Sequence, residues 1–196
     1  MAVPFRDAAE IERLGAAGFF RILPDAAPGA YRGALFLVNA HGEPLEFAYN
    51  RIRLPQPFLW RAEDVAPYAA RRLAASLFEI CPREPALLLC LAGEVGAALF
   101  TRDLDLAVPA SRMTIEGIAP DNGEEAEDAI NGARLLWAGR RPTADAPARR
   151  LLDRLAECDL LSEPFERTAA GLCEVYGPAR PGEDGDDELV ERTAGR

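Results

Sequence analysis

The sequence predicts an α/β protein: a mixed sheet, in which an antiparallel three-strand meander is followed by parallel strands, flanked by helices. Three observations lead there. Apolar runs joined by short turns fill residues 18–54, a helical period sets in at Asp64, and apolar runs then alternate with helical segments as far as Tyr176. Strands joined by short turns pair antiparallel, whereas strands separated by helices return in parallel.

Taken in order, residues 6–14 suggest a helical turn or two, and residues 18–23 (GFFRIL) have strand character that stops at the turn-rich PDAAPG. Residues 31–38 are apolar on both alternating faces, as a strand covered on each side requires. Residues 45–54 alternate more cleanly, with Leu45, Phe47 and Tyr49 on one face, so this strand belongs nearer an edge. The turn from Asn39 to Gly42 joins the two as a hairpin. In the following helix Val65, Ala69, Leu73, Leu77 and Ile80 form one stripe. Asp64 is placed to cap it, Pro67 falls in the first turn, where its missing N–H costs little, and Cys81-Pro82 ends it.

Residues 86–91 (ALLLCL) are a short continuous apolar run of the buried parallel-strand kind, with a short helix expected over 94–100. Residues 103–115 offer an edge strand whose second half is weakened by Pro109. An acidic surface loop is expected near 116–132, and strand character resumes at 133–138 (ARLLWA). Two amphipathic helices follow, over 145–158 with Leu151, Leu152 and Leu155 inward, and over 163–176 with Phe165, Leu172 and Tyr176 inward. No internal repeat is evident. Residues 1–177 are therefore read as a single globular domain, and 178–196 as a disordered acidic tail.

Composition removes several classes of chemistry. The 22 basic residues are all arginine, so no P-loop lysine, Schiff base or Ser-Lys dyad exists. One histidine and three serines make a Ser-His-Asp hydrolase a poor fit, which leaves carboxylates as the well-supplied reagent. A net charge of −10 disfavours a protein whose main task is gripping a phosphate backbone, although much of the acidity is concentrated in 116–128 and 183–191. Cys81, Cys90, Cys158 and Cys173 form no C-x-x-C pair and no zinc spacing. No apolar run reaches membrane-spanning length and no leader pattern opens the chain, so a cytoplasmic protein without a membrane partner is expected.

The stretch PDAAPGAYRGALFLVNAHGEPLEFAYNRI, with AEDVAPYAARRLAASL and LLLCLAGEVGAALF after it, resembles the ribonuclease H-like superfamily over roughly residues 18–100. The element order is likewise that of ribonuclease H-like folds. In that family carboxylates converge on two divalent cations that activate a water and stabilise the leaving oxygen. The resemblance implies Asp25 as the carboxylate at the end of the first strand. At the position of the helix Glu stands Pro67, with Glu63 and Asp64 one turn earlier. At the position of the fourth-strand Asp stands Gly93, with Glu94 beside it, and Asp145 resembles the final Asp site.

Each candidate also has a local role open to it: Asp25 as a turn residue, Glu63 and Asp64 at a helix N-terminus, Glu94 as a helix start, Asp145 as an N-cap. The D-x-D of Asp103 and Asp105 would share one face if extended. His41 reads as a solvated turn residue, and Trp60 and Trp137 as core anchors. Two functional readings follow. The first is a non-catalytic scaffold or accessory protein that binds another macromolecule, with a protein partner expected and no cofactor. The alternative is a divalent-metal-dependent nuclease or phosphotransfer enzyme, with Asp25, Glu63, Asp64, Glu94 and Asp145 as site residues and Asp25, Glu94 and Asp145 as ligands for Mg²⁺ or Mn²⁺.

Overall fold

The structure, a computed structural model, describes residues 13–55, 57–114, 118–128 and 132–178. The tail from 179 on, and all but the last two residues of the expected N-terminal helical turns, lie outside the described residues.

Strands β1 (Ala17–Pro24), β2 (Ala30–Val38) and β3 (Pro44–Arg53) form the antiparallel meander that the short turns require. β4 (Leu87–Leu91) lies parallel to β1, and β5 (Ala110–Thr114) parallel to β4. With β6 (Glu124–Asp128) and β7 (Arg134–Ala138), one seven-stranded sheet is completed in the order β3-β2-β1-β4-β5-β7-β6. The mixed sheet flanked by helices is thus the expected fold class, with β3 at an edge as its alternation indicated.

Four details differ from the sequence reading. β5 starts immediately after Pro109, whose lack of an N–H is harmless outside the ladder, and it lies inside the sheet rather than at its edge. β7 runs antiparallel to β5, as it does to β6, the strand that precedes it in the chain. The acidic stretch expected as a loop contains β6, whose carboxylates are held by arginines of the neighbouring elements. In place of the helix over 94–100, the chain makes turns and one π-helical turn (Leu99–Asp103).

Helices cover both faces. α1 (Ala62–Ile80) packs Ala70, Leu73, Ala74 and Leu77 on Phe20, Ile22, Leu35, Leu37, Leu88 and Cys90. On the other face, α2 (Pro147–Glu157) and α3 (Glu163–Tyr176) set Leu151, Leu152, Leu155 and Phe165 against Phe19, Phe36, Leu87, Leu89, Met113 and Trp137. That explains why β2 and β4 are apolar at nearly every position: both their faces are covered. A β-bulge at Leu37/Val38 slips the pairing of β3, so Leu45 packs on the α1 side while Phe47 packs on the other. The expected common face for Leu45, Phe47 and Tyr49 is therefore broken at its first member.

Trp137 is a core anchor at 1% exposure, whereas Trp60 is only half-buried and stacks on Tyr68 with ring centroids 4.4 Å apart. His41 is exposed at the hairpin tip, where its backbone N–H donates to Asn39 Oδ1. No helix among the described residues is long and apolar enough to cross a membrane.

Candidate functional site

The C-terminal ends of β1 and β4 are neighbours, since these two central strands run in parallel up to the Phe20–Cys90 pair. β1 also pairs antiparallel with β2 on its other side, so the chain leaves it at a change of sheet direction, where ligands of open α/β sheets commonly bind. Both implied carboxylates of this region come to that edge. β4 stops at Leu91, and a turn through Gly93 brings Glu94 back over β1. Glu94 Oε2 accepts the Ile22 N–H at 3.1 Å, in effect extending the ladder that β4 no longer supplies. Its Oε1 accepts from Arg21 Nε at 2.9 Å and from Arg21 Nη2 in a short contact, while Arg21 Nη1 donates to the Phe165 carbonyl of α3. Arg21 and Glu94 side chains are each 15% exposed.

Asp25 caps the β1–β2 turn. Its Oδ1 accepts the Ala27 N–H at 3.1 Å, an Asx-type contact, and Arg51 Nη2 at 2.9 Å. Arg51 Nε lies 2.8 Å from Oδ2, an ion pair whose alignment is too poor to count as a hydrogen bond, which leaves Oδ2 buried without one. Arg51 stands opposite Arg32 in the β2–β3 register, and Arg32 opposite Leu23 of β1, so both guanidinium groups rise on the α3 side of the sheet. Arg32 is 1% exposed. It donates to the Gly177 carbonyl just past α3 and approaches Cys173 Sγ at 3.9 Å, with its Nε unpartnered. Burial, then the nearby Tyr49 and the Asp25 charge, push the Tyr176 hydroxyl above its ordinary pKa against the pull of Arg51.

The other implied residues do not join this edge. Glu63 and Asp64 sit in the first turn of α1, exposed and paired to Arg61, which occupies the N-cap position expected of Asp64. Because β7 runs antiparallel, the segment after it emerges at the opposite edge, and Asp145 lies there before α2. A hydrogen bond from the Thr143 hydroxyl holds the Asp145 carboxyl below the usual range, with a further backbone hydrogen bond acting in the same sense. Asp103 pairs with Arg102 within the π-helical turn, so the D-x-D is not extended. Among the described residues no group of three or more His, Cys, Asp or Glu converges as a metal ion would need. The implied set of Asp25, Glu94 and Asp145 therefore does not fit a pair of divalent cations: one member is at the far edge, and arginines engage the other two.

Arg21, Arg32 and Arg51 were not among the sequence candidates. The signal was present as a charged residue interrupting an apolar strand, in GFFRIL and AYRGALF, but strand periodicity alone reads such a residue as an edge or solvent position.

A second charged cluster binds β6 to the body. Arg112, 3% exposed, meets Glu124, 0% exposed, at 2.6 Å and also donates to the Val95 carbonyl. On the other face Glu127 accepts from Trp137 Nε1 at 2.8 Å and from Arg149, which also holds Asp153. A polar cleft of about 580 Å³ lies beside them, lined among others by Glu125, Arg140 and Arg141. Desolvation raises the Glu127 pKa, but the hydrogen bonds from Arg149 and Trp137 outweigh it and leave the carboxyl below its ordinary 4.5. A depressed folded-state pKa gives stability that is present above the unfolded value and lost as pH falls through the folded one. Thermal melts of the parent and Glu127→Gln are therefore expected to differ at neutral pH and to converge as pH drops below 4.5. A gap that persists unchanged in acid would show that the carboxylate's charge is not what matters.

Comparison with known proteins shows a likeness of fold and none of sequence. No family model matches the chain, and no curated protein matches it by sequence. Among solved structures, endonuclease V of Streptomyces avermitilis is similar with a TM-score of 0.51 at 12% identity, over 89% of this chain and 95% of that one. Endonuclease V of Bacillus subtilis gives 0.49 at 12% identity, over 80% and 84%, too low a score to add to the argument. The likeness is one of fold, an α/β sheet of ribonuclease H-like type. It corrects the expectation of a non-catalytic accessory protein with a protein partner: a solved structure of similar fold is an endonuclease, and no comparison supports a protein partner.

Proposed function

We propose that this chain is a nuclease or related phosphotransfer enzyme of ribonuclease H-like type, with the shared C-terminal edge of β1 and β4 as its site. One observation carries the reading. Asp25 and Glu94, which lie 69 residues apart by their numbers, come to adjacent strand ends at the change of sheet direction. The similarity of fold to an endonuclease V supports it. Asp25 and Glu94 supply proton-accepting oxygens, and the arginines beside them supply the donors that a phosphodiester group requires. Because the described carboxylates do not fit a two-metal group, no step is assigned to Mg²⁺ or Mn²⁺. All four cysteines are unbridged, which suits a cytoplasmic setting.

The test is cleavage of end-labelled single-stranded DNA, duplex DNA and RNA in chelator, in Mg²⁺ and in Mn²⁺. Cleavage is expected on at least one substrate, and Glu94→Gln is expected to reduce it by roughly 100-fold, the scale of a lost acid–base group. Intact substrate under every condition overturns the proposal.

A further inference from the structure

We infer that the phosphate-binding element of this edge is a set of guanidinium groups, with Arg51 as the contact and Arg32 as the buried charge behind it. The inference rests on the nuclease reading and specifies how the site takes its substrate. A divalent cation here would have to displace Arg21 from Glu94 and Arg51 from Asp25, and each of those pairs is held through two guanidinium nitrogens. The arginines are already in the place where metal charge would be needed.

Charge at the edge does not balance. Arg21 is matched by Glu94 and Arg51 by Asp25, but Arg32 has no carboxylate partner among the described residues. At 1% exposure this guanidinium is compensated, among the described residues, only by the Gly177 carbonyl and the sulfur of Cys173. Its Nε finds no acceptor among the described residues. Tyr176 adds no negative charge at pH 7, because its hydroxyl is pushed above its ordinary pKa, first by burial. Among the described residues the edge therefore holds one uncompensated positive charge in a chain of net charge −10.

Arg51 makes that charge usable. It sits directly opposite Arg32 in the register, and its side chain is 45% exposed. Asp25 occupies its Nε and Nη2, so the Nη1 hydrogens remain for an incoming oxygen. A phosphate monoanion fits this arrangement: it takes charge-assisted hydrogen bonds from Arg51 and cancels the field of Arg32. A carboxylate of Asp or Glu has no such vacancy to fill on the Arg21 side, where Glu94 and the Phe165 carbonyl already take the donors.

The experiment uses the full chain and a labelled single-stranded oligonucleotide followed by fluorescence anisotropy, in chelator and in Mn²⁺, with inorganic phosphate as competitor. Binding is expected in chelator, unchanged by Mn²⁺, and weakened about tenfold in Arg51→Gln, the scale of one charge-assisted hydrogen bond. The salt dependence should fall with it, by about one unit of slope. Arg51 is exposed enough for its removal to leave the fold intact, and a melt of Arg51→Gln checks this. Arg32→Gln, read the same way, tests the buried charge. Binding that requires Mn²⁺ and is lost in Asp25→Asn overturns the guanidinium assignment while sustaining the nuclease reading. Binding in chelator with no cleavage under any condition does the reverse. An oligonucleotide that binds no more tightly than inorganic phosphate removes nucleic acid as the source of the phosphate. Absence of binding in both chelator and Mn²⁺ overturns both.

Discussion

Glu124→Ala is expected to lower the melting temperature by roughly 10 °C, about 3–5 kcal/mol in a chain of this length. The carboxylate it removes is 0% exposed and faces a guanidinium that is 3% exposed. Taking away one partner leaves the Arg112 charge buried, with only the solvent-exposed Asp121 at 3.4 Å to answer it. The Val95 carbonyl continues to accept from Arg112, but a neutral oxygen does not replace an anion. Replacing both partners together, as Arg112→Met with Glu124→Leu, removes the desolvation cost along with the attraction. That double variant is expected to stay within about 2 kcal/mol of the parent or to exceed it. Circular dichroism melts at neutral pH decide the matter. A single variant that melts with the parent would mean that β6 is held by its backbone ladder alone.

The same pair shows why part of this fold was legible in the sequence and part was not. Burial has a local signature: β2, β4 and the stripe of α1 from Ala69 to Leu77 are apolar because helices or strands cover them, and the amino acids record that position by position. β6 has no such record. EEAED reads as a solvated loop unless one knows that Arg112 and Arg149 stand on either side of it, at separations of 12 and 22 residues. Its alternation is of charge, with Glu124 toward one face and Glu125 and Glu127 toward the other, each matched by an arginine. A charged edge strand of this kind also resists pairing with another chain.

The candidate site divides along similar lines. Asp25 and Glu94 were singled out by the ribonuclease H-like resemblance, and both lie just past strand ends at one edge of the sheet. Their partners could not be placed, because the contact of Arg21 with Glu94 depends on the parallel pairing of β1 and β4, and that of Arg51 with Asp25 on the register of three strands. Asp145 does not join Asp25 and Glu94, for a topological reason. With β7 in parallel it would emerge beside Glu94; with β7 reversed it emerges at the other end of the sheet. One strand direction separates a converging carboxylate set from a scattered one.

Trp137→Ala is expected to cost about 3–5 kcal/mol, the usual range for emptying an indole-sized site in a packed core. Trp137 is 1% exposed and packs in the same cluster as Met113, Leu135, Leu151 and Leu152. It is also a tether, since its Nε1 donates to Glu127 of β6 at 2.8 Å. The two roles can be separated. Trp137→Phe keeps much of the ring volume and loses only that hydrogen bond, while Arg149 still holds Glu127. Its cost should be near 1 kcal/mol, typical of a single intramolecular hydrogen bond, plus a small cavity term. Hydrogen exchange distinguishes the consequences: in Trp137→Phe the amides of Glu124 to Asp128 that pair with β7 should open faster while those of β1 and β4 keep their protection. In Trp137→Ala the loss should reach β5 and β7 as well, because the apolar contact that seats them on α2 is gone. Equal protection of β6 in the parent and Trp137→Phe would show that Arg112 and Arg149 suffice to hold the strand, and that the indole contributes packing alone.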